Sequence, residues 1–288
     1  MMGNLIGVLF DGIAYGSLLF LISVGLSVTM GMMNFINLAH GAFAMLGGYV
    51  CVTVLSHFGL PFLATLPLAF LASAVVGLVF ERLLYRRLYR ASHLDQVLFS
   101  IGLTFMAVAA ATYFFGPSQQ PVHLPDWLRG QITVMGQDVG SYRLFLIGVV
   151  ILVTLALGLL IERTRFGAQI RASVDNQVAA AGMGINVSLV FSLTFALGSG
   201  LAGLGGALGI DVLGLDPTFP FKYMVYFLLV VAVGGAGTIK GPLLAALILG
   251  VVDVAGKYYV PEVGAFVIYG LMVLLLTLFP AGLIRRKS

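Results

Sequence analysis

The stretch ERTRFGAQIRASVDNQVAAAGMGIN, residues 162–186, decides how the rest of the chain is read. It carries three arginines, a Glu, an Asp and two Asn between two long apolar segments, so it lies outside hydrocarbon. Phe166, Ile170, Val174 and Val178 recur every four residues, which predicts an amphipathic helix with one apolar face. Such a helix along the surface of a membrane protein is a docking element that presents a face to a partner.

The chain around it is 60% hydrophobic and only 9% charged, whereas a soluble domain carries about 25% charged residues. Apolar runs of membrane-spanning length recur throughout, predicted at 5–30, 41–56, 60–80, 96–115, 144–161, 188–210, 223–235, 242–256 and 264–282. The expectation is an all-α polytopic membrane protein of eight to nine transmembrane or re-entrant helical segments, forming one transmembrane domain over 1–288. No Lys or Arg precedes Arg82, and the first apolar stretch is too long for a signal core, so a retained helix is expected there. Cys51 is the single cysteine, which excludes an intrachain disulfide. The net charge of +4 resides in clusters flanking the spans, which favours a lipid bilayer over nucleic acid as partner.

Those clusters give the sidedness. Arg82, Arg86, Arg87 and Arg90 lie in one loop, Arg163, Arg165 and Arg171 in another, and Arg285, Arg286 and Lys287 in the tail. All three fall on one side given the helices between them, so the positive-inside rule predicts N-terminus out and C-terminus in. Residues 116–143, with Pro117, Pro121, Pro125 and Trp127, form the longest external loop. It reads equally as a cap that meets a soluble partner and as an interfacial connector. At an offset of 81, Glu81, Arg82, Arg90, Ala91, Ser92, Gln96 and Val97 match Glu162, Arg163, Arg171, Ala172, Ser173, Gln177 and Val178, a hint of duplication.

Two polar, glycine-bearing segments interrupt the apolar pattern. One is GMMNFINLAHG, 31–41; the other is GGAGTIKGP, 234–242, which splits a 34-residue apolar region. Irregular backbone at membrane depth must line a cavity or pack in protein, so their polar and glycine positions are candidates for a solute path or gate. These are Asn34, Asn37, His40, Gly41, Gly235, Gly237 and Thr238. The alternative, short turns between conventional helices at the membrane surface, stands beside it. For His40 and Asn37 the structural reading is a hydrogen-bonded helix terminus.

Enzyme chemistry is hard to place. Ile239 and Gly241 around Lys240 break the phosphate-loop pattern that 234–241 superficially resembles. No His follows His123 to activate Ser199, and Gly198, Gly200, Gly203, Gly205 and Gly206 read as close helix packing. An Asp11–Asp253 dyad is conceivable, but both sit near segment ends, where solvated or helix-terminal roles are expected. One His without a second ligand at suitable spacing closes no metal site.

The residues do match a known family. GLSVTMGMMNFINLAHGAFAMLGGY, 25–49, resembles the N-terminal signature of branched-chain amino acid ABC transporter permeases through Gly31, Ile36, Asn37, Ala39, His40, Gly41, Met45, Leu46 and Gly47. The loop 162–187 resembles that family's cytoplasmic coupling loop, with Thr164, Arg165, Gly167, Arg171, Ala172, Asp175, Ala180, Gly184, Ile185 and Asn186 in the expected places. VGGAGTIKGPLLAALILG, 233–250, is similar to its third signature. Ala42 stands where members often carry Glu, and Gly182 where a bulkier residue is common. The resemblance implies a type II-like ABC importer permease in a bacterial inner (cytoplasmic) membrane. Its partners would be a second homologous permease, two cytoplasmic ABC ATPase subunits and an extracytoplasmic solute-binding protein. This chain would bind no cofactor, ATP and Mg belonging to the ATPases, and the solute would be small and polar, branched-chain amino acids above all. The competing reading is an ion-coupled secondary transporter or channel acting alone, which wants an ionisable residue deep in a span.

Overall fold

The computed structural model describes residues 2–33, 35–89, 91–122, 124–134, 137–279 and 282–283. Asn34, Arg90, His123, Arg285, Arg286 and Lys287, all used in the sequence reading, lie outside them. The elements are α1 (Met2–Met33), α2 (His40–Phe58), α3 (Phe62–Leu88), α4 (His93–Phe115), a single turn α5 (Asp126–Arg129), a hairpin of β1 (Gln131–Val134) and β2 (Gln137–Gly140), α6 (Ser141–Arg163), α7 (Arg165–Asp175), α8 (Gln177–Gly182), α9 (Val187–Leu213), α10 (Phe219–Gly234), α11 (Lys240–Tyr259) and α12 (Gly264–Leu278). Among the described residues, seven helices are long and apolar enough to cross a membrane, and α10 and α12 are shorter apolar helices. They correspond in order to the nine predicted segments, because hydropathy over about 20 residues is a local property that tertiary packing does not rewrite.

Helix α9 sits at the centre, against α1, α2 and α3, and α1 packs in turn on α11. Lipid tails are as apolar as leucine, so helices in a bilayer gain little from hiding apolar side chains and associate where backbones can approach. The glycines of α9 permit this. A Cβ on Gly206 would collide with the Ala44 backbone of α2, one on Gly203 with Ser73 of α3, and one on Gly198 would press on Gly25 of α1. Gly47 of α2 and Gly25 of α1 supply the reciprocal gaps against Gly203 and Gly198. In contrast α4 and α6 are the least buried of the long helices and lie at the periphery.

Local rules set several ends. Ser92 caps α4 in a capping box, accepting from the Asp95 N–H (3.2 Å) while the Asp95 carboxylate accepts from the Ser92 N–H (3.3 Å). Gly59 takes a left-handed φ of 60° to close α2. Within α3, residues Glu81–Tyr85 form a π-helical turn.

One expectation is filled in and one changes. The stretch 116–143, read as a cap or an interfacial connector, holds α5 and an antiparallel hairpin pairing Ile132 with Val139, and Arg143 already belongs to α6. Trp127 sits edge-on to Phe145 at 5.7 Å, and Gln120 N–H bonds the Leu215 carbonyl (2.8 Å), so the segment folds onto the spans beneath it. The matched segments at offset 81 also fold differently. Glu81 begins the π turn inside α3, whereas Glu162 precedes the end of α6; Asp95 is the third residue of a helix capped by Ser92, whereas Asn176 is itself the cap of α8. The match is not a repeated structural unit.

Gly206→Leu or Gly47→Leu should lower the melting temperature sharply or abolish folded protein, as over-packing costs about 1–3 kcal/mol or more. Gly148→Ala, where a Cβ meets nothing within 4 Å, should melt like wild type; fluorescence-detected size exclusion after heating compares them.

Candidate functional site

Helix α6 stops at Thr164, which leaves helical geometry (φ −106°, ψ 159°) and caps α7 by accepting from the Gly167 N–H at 3.1 Å. Its hydroxyl donates back to the Leu160 carbonyl at 2.5 Å. Gly167 lies so close to the Leu160 and Ile161 carbonyls that no side chain fits there. One turn further, the Arg171 guanidinium donates to the Ile161 carbonyl, placing a cation at the negative end of α6. Thr164, Gly167 and Arg171 together strap α7 to the last turn of α6. Gly167, Ile170 and Ser173 form its buried face, with Phe166, Val174 and Ala172 half-buried.

The single amphipathic helix of the sequence reading is in fact two. Asn176 takes an extended conformation (φ −156°) after Asp175 and caps α8, accepting from the Ala179 N–H at 3.0 Å. The register therefore restarts, and Val178, expected on the buried face, is 84% exposed. Met183 is 70% exposed beside it, while Ala180 is buried. Gly184 (φ 84°) closes α8, with Ile185 N–H bonded to the Ala180 carbonyl (3.1 Å), and Asn186 caps α9 by accepting from the Leu189 N–H (3.0 Å). The loop is thus a helix pair tied at one end to α6 and at the other to α9. Its outer side presents Arg165, Val178 and Met183. Sequence reasoning missed the apolar patch of Val178 and Met183; the readable signal was Asn176, a capping residue three positions before Ala179.

The first break lies inside the bundle. His40 Nε2 donates to the Ile22 carbonyl of α1 at 2.8 Å, so Nε2 carries a hydrogen. Ile22 stands eleven residues before the end of α1, roughly 16 Å along its axis, so α2 starts well short of that end. Phe35, Asn37, Ala39, His40 and Gly41 are all buried, which favours the re-entrant geometry over a surface turn. Asn37 Oδ1 accepts from the Ala39 N–H (3.1 Å) and the Tyr85 hydroxyl (2.9 Å), while its Nδ2 is buried without a partner among the described residues. Gly41 lets α2 approach Pro220 and Phe227 of α10.

The second break also leans on α1. Gly237 N–H donates to the Ser27 carbonyl (2.8 Å), and the Ser27 hydroxyl to the Thr238 carbonyl (3.0 Å). Thr238 Oγ1 donates to the Gly235 carbonyl at 3.2 Å, and Gly235 and Gly237 take φ of 92° and 80°, which only glycine adopts freely. With 16 residues α10 is about 24 Å long, shorter than the roughly 30 Å hydrocarbon core. A cavity of about 530 Å³ lies between this break and the loop, lined by Thr154, Glu162, Arg171, Gly237, Thr238 and Lys240 among others. The structure thus brings Arg171 and the second break to one cavity, and both breaks to α1.

Three acidic residues differ from expectation. Asp253, expected in a solvated or helix-terminal role, is 1% exposed and pairs with Lys257 at 2.6 Å, on a helix packed against α1. Asp11 pairs with Arg143 at 2.6 Å, so the two carboxylates have separate partners. Glu81, taken as part of a loop, is fully buried between the Tyr89 and Ser192 hydroxyls. Ser199 donates to the Phe195 carbonyl, as a packing serine does. Among the described residues no group of His, Cys, Asp and Glu is placed to hold a metal.

Residues 8–276 match the family described as branched-chain amino acid transport system, permease component. The chain is 28% identical over 293 residues to the high-affinity branched-chain amino acid transport system permease protein BraD of Pseudomonas aeruginosa, covering 97% of this chain and 95% of that one. It is 27% identical over 295 residues to the permease protein LivH of Escherichia coli, with the same coverage. The permease protein LivM of Salmonella typhimurium is 24% identical over 287 residues, covering 92% of this chain and 67% of that one. No solved structure matches.

Gly167→Val and Arg171→Glu should each free α7 from α6. Trypsin should then cut at Arg163 or Arg165 about tenfold faster than in wild type, if release opens the segment by roughly 1.4 kcal/mol. An unchanged cleavage rate would remove the strap.

Proposed function

This chain belongs to the permease component family of branched-chain amino acid transport systems, and we propose that it moves branched-chain amino acids through an ATP-driven importer of the ABC type. It is a transport subunit and not an enzyme. The observation that carries the coupling role is the α7–α8 pair, strapped to α6 and α9 yet exposing Val178 and Met183 on its outer side. That patch suits the cleft of a cytoplasmic ATPase subunit, where ATP and Mg would bind. Residues 162–187 are then the coupling loop, with Thr164, Gly167, Arg171, Ala180, Gly184 and Asn186 holding its shape. Arg165, Ala172, Asp175 and Ile185 complete it. The N-terminus faces outward, the C-terminus inward, and residues 116–143 meet an extracytoplasmic binding protein.

As two ATPase subunits close and reopen, the helix pair moves as a lever on α6 and α9. The breaks at Asn37, His40 and Gly41 and at Gly235, Gly237 and Thr238 are the hinges of the path, because few backbone bonds resist movement there. The buried, unpaired Nδ2 of Asn37 is a donor for a passing carboxylate. A second, homologous permease completes the path; the similarity to both LivH-type and LivM-type proteins supports a paralogue in that place.

Affinity purification from native membranes in mild detergent tests the assembly. Recovery of two ATPase chains and a second permease is expected; recovery of this chain alone across several detergents would favour a self-sufficient transporter. Val178→Glu with Met183→Glu should lose the ATPases while the protein still inserts and folds. Asn37→Asp keeps both accepted hydrogen bonds but removes the free donor. It should lower uptake about tenfold, the worth of one hydrogen bond to a charged group, with the ATPases still attached.

A further inference from the structure

The π-helical turn Glu81–Tyr85 places two fully buried side chains, Glu81 and Tyr85, between the start of α9 and the first break. Glu81 Oε1 accepts from the Tyr89 hydroxyl at 2.6 Å and Oε2 from the Ser192 hydroxyl of α9. None of the ion pairs among the described residues involves Glu81, and the hydrogen bonds to it among them come from these two hydroxyls. Four residues on, the Tyr85 hydroxyl donates to Asn37 Oδ1, the same atom that holds the Ala39 N–H. Aromatic rings fill the space between: Tyr85 packs on Phe195 (4.8 Å between centroids) and Phe35 (5.2 Å), and Tyr89 on Phe191 (6.1 Å) and Phe35 (6.2 Å). Ser192 lies six residues after Asn186, where the helix pair joins α9.

We infer that Glu81 is a positioning residue that links the coupling helices to the first break, so that movement of α9 reaches Asn37 and His40 through Ser192, Glu81 and Tyr85. The inference rests on the importer reading above for what the movement accomplishes. Three features of the site make it a joint. A buried carboxylate bonded to two hydroxyls depends on those donors staying in place, since losing them would strand a polar group in an apolar medium. The π turn is wider than an α turn, and such turns persist where a side chain must be aimed. Tyr85 and Asn37 carry the connection to the backbone N–H of Ala39, at the entry to α2. A shift of the first turns of α9 therefore cannot leave the break unaffected without breaking a buried hydrogen bond.

The test compares Glu81→Leu, Glu81→Gln and Tyr85→Phe, the last removing one hydroxyl and keeping the ring packing. Hydrogen–deuterium exchange on this chain in nanodiscs needs no ATPase. Glu81→Leu should speed exchange together in 35–40 and in 187–195, while Tyr85→Phe should speed it in 35–40 alone. Glu81→Gln should exchange like wild type, because the amide can accept from Tyr89 and donate to Ser192. Exchange that changes only in 81–89, or not at all in Tyr85→Phe, would overturn the link.

The assembled importer in proteoliposomes then gives solute taken up per ATP hydrolysed. Glu81→Leu should lower this ratio about tenfold, within the range by which single residues alter coupling, with the ATPases retained and Glu81→Gln near normal. A ratio equal to wild type, or ATPase loss in proportion to uptake, would overturn the positioning role. A wild-type assembly with no ATP-dependent uptake would instead overturn the importer reading, while the exchange pattern still decides the link.

Discussion

The backbone contact between α1 and α9, made possible where Gly25 meets Gly198, is the interaction on which the rest of the structure depends. With no hydrophobic gain between helices in lipid, the bundle is held by close approach, and close approach needs residues without side chains at the crossing. Helix α1 so placed becomes the support for both breaks. The carbonyl of Ile22 holds His40, and Ser27, five residues later, holds Gly237 and Thr238. Helix α9 so placed carries the far end of the α7–α8 pair and the Ser192 hydroxyl that meets Glu81. A bulky residue at the crossing would loosen both breaks together.

The breaks are tolerated where protein groups take over the backbone's hydrogen bonds. In hydrocarbon an unpaired N–H or C=O costs several kcal/mol, so interruption of a span is permitted only where protein groups take over. Here Asn37, Ser27 and Thr238 do so with short side chains: Asn37 accepts from the Ala39 N–H, Ser27 donates to the Thr238 carbonyl and Thr238 to the Gly235 carbonyl. The Nδ2 of Asn37 is an exception, a buried donor left over in the first break.

The α7–α8 pair shows the same economy outside the spans. Its buried face is short, three residues of α7, and the attachment depends on a glycine that permits contact, a threonine cap and an arginine on a helix end. Such an element is rigid relative to α6 and α9 while leaving its outer face free. The periodicity of Phe166, Ile170 and Val174 foretold the inner face of α7 correctly. It failed at Val178 because the spacing of apolar residues cannot show that Asn176 has ended one helix and begun another.

From the amino-acid order alone, the nine apolar segments, the exposed loop, the glycine-rich packing helix and the two interruptions are legible. Each depends on hydropathy or backbone preference over a window of the chain, and lipid enforces those preferences more strictly than water does. Only the tertiary structure decided which side chains share a place. Glu81 reads in sequence as one more polar residue beside Arg82, yet the π turn carries it inward to a serine 111 positions away. Asp253 reads as a solvated helix end and is enclosed, and His40 bonds a carbonyl well inside α1. Contacts between residues far apart in the chain leave no periodic trace in it, because they are set by how whole helices cross, and the crossing is a property of the bundle.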